Sequence, residues 1–225
     1  MNASNAEEGD HFGASVAISG DTLVVGAPGE DSNASGGEDD NSARNVGAAY
    51  VFTRSGGMWG QQAYLKESTT RIEHVNVVGY GFGTNVAISG DTLVVGYPSG
   101  SGQKGEAFVF TRSDGIWSQQ AYLNDNDAAY QFGNGFGSSV AISDDTLVVG
   151  NPVGATVYIY TRVGEVWTQR TQLKASNAEQ WDDFGFSLAI SDDTLVVGAP
   201  EEDSSATGGE ADNSAPGAGA VYTWQ

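Results

Sequence analysis

The chain alternates short apolar runs with Gly, Asp and Ser, and one run returns four times. DTLVVG stands at 21–26 and begins again at Asp91, Asp145 and Asp193, at spacings of 70, 54 and 48 residues. Ahead of each copy lies a stretch in which polar and apolar positions alternate: FGASVAIS at 12–19, FGTNVAIS at 82–89, FGSSVAIS at 136–143 and FGFSLAIS at 184–191. The two runs meet at Gly20-Asp21, Gly90-Asp91, Asp144-Asp145 or Asp192-Asp193. A two-residue link between alternating runs predicts a hairpin.

TLVVG ends at Gly-x-Pro in every unit, and a third run follows: AAYVFTR, AFVFTR, TVYIYTR and AVYTW. After SGG, SDG or VGE comes a fourth: WGQQAYLK, WSQQAYLN and WTQRTQLK. Each unit therefore predicts a four-stranded antiparallel meander. In TLVVG, Leu23 and Val25 point one way and Val24 the other, so both faces of the strand need cover. The fourth run mixes Trp59, Ala63 and Leu65 with Gln62 and Lys66, as a half-wet outer strand would. Covered inner strands and wet outer strands describe propeller blades, and no unit can bury its inner strand alone. The predicted fold is all-β, a single domain over 1–225. It is a β-propeller of four repeated four-stranded antiparallel blades, at roughly 1–66, 67–124, 125–174 and 175–225. The last blade lacks its outer strand.

Phe-Gly opening the first run and Gly-Ala-Pro closing the second (Phe12-Gly13 with Gly26-Ala27-Pro28; Phe184-Gly185 with Gly198-Ala199-Pro200) resemble the FG-GAP repeat. That family includes the propeller of integrin α subunits and many bacterial surface and secreted proteins. The fuller wording, VAISGDTLVVGAP with YVFTR and WxQQAYLK, is closer to the bacterial branch. The middle units depart from it at Gly96-Tyr97-Pro98 and Gly150-Asn151-Pro152. The resemblance implies an extracellular or cell-surface module for binding or adhesion, stabilised by calcium. Integrin-type repeats place calcium in an Asp-rich loop between the first and second strands. Here that link has two residues, too few to wrap an ion that takes six to eight oxygens.

Charge moves the metal question elsewhere. With 9 Lys+Arg against 29 Asp+Glu, the net charge is −20, which repels a phosphate backbone and argues against nucleic acid. Between the second and third strands, unit one reads GEDSNASGGEDDNSARNVG and unit four EEDSSATGGEADNSAPGAG, aligned without a gap. Asp31, Glu38, Asp40 and Asn41, with Asp203, Glu210, Asp212 and Asn213, place hard oxygen ligands at identical offsets, and calcium is the cofactor they suit. The alternative is a duplicated, solvated loop whose spacing records ancestry alone. The connections between blades emerge on the same side and are acidic too, through Glu7, Glu8 and Asp10, Asp125 and Asp127, and Glu179, Asp182 and Asp183.

Catalysis has little support in the sequence. His11 and His74 do not recur, there are no cysteines, and no nucleophile elbow or phosphate loop is present. The hairpin aspartates read as turn chemistry, and the chain is expected not to be an enzyme, with a carboxylate-based hydrolase built from two blades as the lesser alternative. Trp59, Trp117 and Trp167 recur as packing anchors, with sugar platforms as the alternative, whereas Trp181 stands in an acidic connection as a candidate ligand contact. The ligand is a protein or a carbohydrate. No apolar run reaches the ~18 residues of a membrane span, so no membrane insertion is expected. ASNAE at 3–7 repeats at 175–179, and the third strand of unit four has no fourth beside it. A homo-oligomer, paired through that open edge into a dimer or filament, stands beside a closed four-blade ring and a piece of a larger propeller.

Overall fold

The computed structural model describes residues 1–32, 37–67, 81–98, 105–125, 135–177, 181–205 and 212–225. Blade one holds β1 (Ser15–Ser19), β2 (Thr22–Ala27), β3 (Ala48–Ser55) and β4 (Met58–Leu65). Blade two holds β5 (Asn85–Ser89), β6 (Thr92–Tyr97), β7 (Glu106–Ser113) and β8 (Ile116–Asn124). Blade three holds β9 (Ser139–Ser143), β10 (Thr146–Asn151), β11 (Thr156–Val163) and β12 (Val166–Leu173). β13 (Ser187–Ser191), β14 (Thr194–Ala199) and β15 (Ala220–Trp224) make the three-stranded fourth blade. Every sheet is an antiparallel meander in chain order, giving an all-β, four-bladed propeller architecture. Among the described residues the one helical piece is a 3₁₀ turn at Pro152–Gly154.

The first strands pack side by side, β1 on β5, β5 on β9 and β9 on β13. Each blade buries one face against the next. Val24, Ala49 and Val51 of blade one meet Val86, Ile88, Leu93 and Val95 of blade two, and Val94, Ala107 and Val109 meet Val140, Ile142, Leu147 and Val149. The second strand is buried on both sides in the inner blades, as its unbroken apolar run requires. Among the described residues no comparable packing joins β13 back to β1.

A bulge in blades one and two aims one outer-strand side chain at the neighbour. Val51 pairs with Ala63 and Phe52 with Gln61, leaving Gln62 as the extra residue, and Gln120 is extra in blade two. A bulge re-aims the side chain it carries. Gln62 Oε1 accepts from the Trp117 indole at 3.1 Å and Gln120 Oε1 from Trp167 at 2.9 Å. Arg112 and Arg162 stack over those same indoles, with 5.1 and 5.2 Å to the ring centroids. Trp117 and Trp167 are thus packing anchors between blades.

Candidate functional site

The β2–β3 loop of blade one and the β14–β15 loop of blade four, 172 residues apart, fold on one skeleton. Asp31 Oδ1 accepts the Asn45 N–H at 2.8 Å, and Asp203 Oδ1 accepts that of Gly217 at 2.7 Å. Their carbonyls take the N–H of Ala43 and Ala215. Beneath each loop lies a buried glutamate, Glu30 or Glu202, 1% and 2% exposed. Glu30 Oε1 accepts from the Asn5 amide at 2.9 Å, and Asn5 Oδ1 accepts from the Tyr50 hydroxyl at 2.7 Å. Asn177 and Tyr222 repeat that relay onto Glu202. The repeated ASNAE segment therefore ties the connection between blades to the long loop. The sequence reading missed Glu30 and Glu202. Their signal was a glutamate two places after the proline in only the two long-loop units.

Glu30 also has partners from the outer strand of its own blade and the residue after it. Lys66 Nζ lies 2.9 Å from Glu30 Oε2 and 2.7 Å from the Gly47 carbonyl, and the Tyr64 hydroxyl donates to Glu30 Oε2 at 2.8 Å. The side chains of Lys66 and Glu30 are 6% and 1% exposed. Burial works to raise the Glu30 carboxyl. The Lys66 charge and the hydrogen bonds from Ser32, Lys66 and Tyr64 outweigh it and hold Glu30 below the usual glutamate range. Burial pushes Lys66 down from its usual value, against the Glu30 charge. The pair is an ionised anchor at the base of the loop.

The other predicted ligands serve the loops themselves. Glu38 accepts from the Ser4 hydroxyl and, at 3.1 Å, from the Gln61 amide. Asp40 Oδ1 takes the Ser42 N–H at 3.0 Å, and Asn41 donates to Glu7 at 2.7 Å. Asp212 accepts from Ser205 and from the N–H and hydroxyl of Ser214, and the hydrogen bonds from Ser205 and Ser214 hold its carboxyl below the usual range. Asn213 is exposed on the same loop, and Glu210 lies outside the described residues. Among the described residues no three His, Asp or Glu groups gather as a cation cage, and the partners of Asp31, Glu38, Asp40, Asp203 and Asp212 are protein donors.

Trp181 is 76% exposed and has φ 104°. Its repeat equivalent is Gly9, at φ 100°. His11 and Asp183, two places on, match as well at φ 54° and 55°. At these residues the two connections share one backbone path, and blade four runs a tryptophan through a glycine position. Asp10 and Asp182 beside it are buried. Burial raises Asp183 above the usual aspartate range, with the Glu201 and Asp182 charges adding to it. Burial raises Asp10 likewise, against a hydrogen bond from the Glu7 N–H. His11 is exposed, and His74 lies outside the described residues.

On the opposite side of the blades, the hairpin aspartates Asp21, Asp91 and Asp145 accept from Nε of Arg54, Arg112 and Arg162 at 2.7–2.8 Å. They fasten the turn to the third strand, as turn chemistry requires.

A family model described as FG-GAP repeat matches residues 1–52, 78–110, 117–160 and 167–224. No curated protein matches the sequence. Among solved structures, a protein from Lactobacillus plantarum is similar at a TM-score of 0.56 and 14% identity, covering 84% of this chain and 49% of its own. A "putative 6-phosphogluconolactonase" from Bacteroides uniformis is similar at 0.57 and 12%, covering 85% and 51%. The chain spans about half the length of these structures. At such identities the likeness shows the fold alone. It does correct the expectation that the chain is not an enzyme, because this blade architecture is shared with a protein bearing an enzyme's name. No helix among the described residues is long and apolar enough to cross a membrane. With the family model matching most of its length in four segments, the chain belongs to the FG-GAP repeat family.

Proposed function

We propose that the chain is an extracellular or cell-surface binding module of the adhesion type. It engages a protein or carbohydrate through the face that carries the β2–β3 and β14–β15 loops, with Trp181 as a contact residue. The observation that supports this is the Trp181 backbone. A bulky side chain at φ 104° costs about 1–3 kcal/mol, and Gly9 shows that the repeat itself needs none there. Backbone strain of this kind is concentrated at ligand clamps and switch regions. An exposed indole offers a large, rigid contact surface. The carboxylates around it favour ligands with basic or hydroxyl-rich surfaces. Calcium is not needed for this reading.

Trp181→Gly separates function from fold. The variant should be more stable than the native chain by about 1–3 kcal/mol in urea unfolding. It should bind immobilised polysaccharides or basic proteins roughly tenfold more weakly, as loss of a hot-spot aromatic implies. A variant that gains stability and binds as well as the native chain removes Trp181 from the reading.

A further inference from the structure

We infer that the seam between blades two and three binds a neutral, hydroxyl-rich saccharide, on the side of the blades away from the long loops. An open hollow of about 720 Å³ lies there, within the roughly 300–1,000 Å³ of clefts that take small ligands. Blade two lines it with the β5–β6 hairpin, the end of β7 and the bulge residue Gln120. Blade three adds Asp144 and Asp145 of the β9–β10 hairpin and Arg162 of β11. Both walls belong to this chain.

Three hydrogen bonds across the seam fix the walls. Arg162 Nη1 donates to the Thr92 hydroxyl at 2.8 Å, the Asp144 N–H to Ser89 Oγ at 3.1 Å, and the Trp167 indole to Gln120 Oε1 at 2.9 Å. Arginine also orients two of the carboxylates. Arg112 meets Asp91 Oδ1 with Nε at 2.7 Å and Nη2 at 2.5 Å, and Arg162 meets Asp145 Oδ1 with both at 2.7 Å. Among the described residues no protein donor reaches Oδ2 of Asp91 or Asp145 or the carboxylate of Asp144, and no acceptor takes the Gln120 amide N–H groups. Acceptors and a donor thus stand already held around one hollow, and little ordering cost is left for binding.

This seam departs from the one before it at two of these positions. Gly90 stands there where Asp144 stands here. Gln62 spends its amide on the Gly115 carbonyl at 3.3 Å, whereas Gln120 keeps its own. Packing blade on blade therefore needs neither the extra carboxylate nor the unspent amide. A sugar hydroxyl both donates and accepts, so neighbouring hydroxyls satisfy the carboxylates and the amide together. A basic peptide pairs the carboxylates but leaves the amide without an acceptor, which costs it binding energy. Anions meet three carboxylates whose arginine partners are already engaged. Trp167 is 9% exposed with Arg162 stacked over it, so no ring platform is offered and recognition is polar.

Proton–nitrogen correlation spectra of the full chain, titrated with cellobiose, lactose and N,N′-diacetylchitobiose, test the site. At least one sugar should move the backbone signals of residues 89–92, 144 and 145 and the side-chain amide of Gln120. Asp144→Gly restores the residue of the preceding seam at φ 49°, where glycine fits, so the fold is kept. Gln120→Glu keeps an acceptor for the Trp167 indole and removes the donor. Each variant should bind that sugar about tenfold more weakly, with the signals of the other blades in place. No movement with any of the three sugars overturns the inference, as does movement confined to Trp181 and the loop face. Unchanged affinity in both variants counts against it equally. Tetralysine is the contrasting probe. If it binds these residues more tightly than any sugar, and more tightly still in Gln120→Glu, the hollow belongs to basic peptides and the inference falls.

Discussion

The carbonyl oxygen of Gly137 sits where a Cβ on Gly96 would be, so the GAP glycine of one blade and the FG glycine of the next are two halves of one fit. The motif is a packing rule between blades, written in pieces that lie 41 residues apart in this instance. Gly96→Ala should therefore force backbone apart and cost about 1–3 kcal/mol or more in urea unfolding. Gly198→Ala, where only a serine hydroxyl must turn aside, should cost well under half as much when both are measured at low protein concentration. Equal losses would mean that the approach of the next blade is not what selects the glycine.

Lys66 and Glu30 form a buried pair, and breaking one partner leaves the other charge stranded. Lys66→Met should destabilise the chain by about 3–5 kcal/mol. Adding Glu30→Gln should recover part of that loss, because it removes the unpaired charge, although the new amide NH2 cannot accept the Asn5 or Ser32 N–H that the carboxylate oxygen it replaces accepts. Additive losses in the double variant would show that the pair acts as two independent side chains.

Asp183 and Glu30 pull stability in opposite directions with pH. Asp183 is raised above its ordinary 3.8, so its contribution is full below that value and is lost as pH rises through the raised one. Asp183→Asn should accordingly melt higher than the native chain at pH 7, with the gap closing toward pH 3.8. Glu30 is lowered from 4.5, so its contribution is present above 4.5 and is lost as pH falls through the lower folded value. Glu30→Gln should melt lower at pH 7 and approach the native chain in acid. Thermal melts across pH 3–8 check both signs at once.

Calcium gives a direct check on the acidic loops. Asp31, Asp40, Asp203 and Asp212 already accept protein N–H groups, so calcium should raise the melting temperature no more than an equal ionic strength of sodium chloride. Asp40→Ala with Asp212→Ala should then cost the same in calcium and in chelator. A saturable rise with calcium, absent from the double variant, would place ions in these loops.

The strands and their order were legible because period-two alternation and repeated wording are local properties. Burial was not, because it belongs to neighbours. Val16 and Val86 occupy the same place in VAIS, yet one is 64% exposed and the other 6%. The acidic loops show the same limit. Their shared spacing leaves an ordered site and a duplicated loop both open, and whether a carboxylate binds a metal or a backbone N–H depends on segments far along the chain. Glu30 is explained by Asn5 and by Tyr64 and Lys66, and none of these is near it in sequence. Gln62 reads as one more polar residue of an outer strand until the bulge turns it toward Trp117.

That bulge has a consequence for how such chains change over generations. A unit carries the glutamine that receives the next indole and also the tryptophan that reaches back to the previous glutamine. A duplicated unit therefore arrives with both halves of its seam, and copy number can change by whole blades with no compensating substitution at the join. Blade three departs from that grammar, since its bulge residue is Arg170 in place of glutamine.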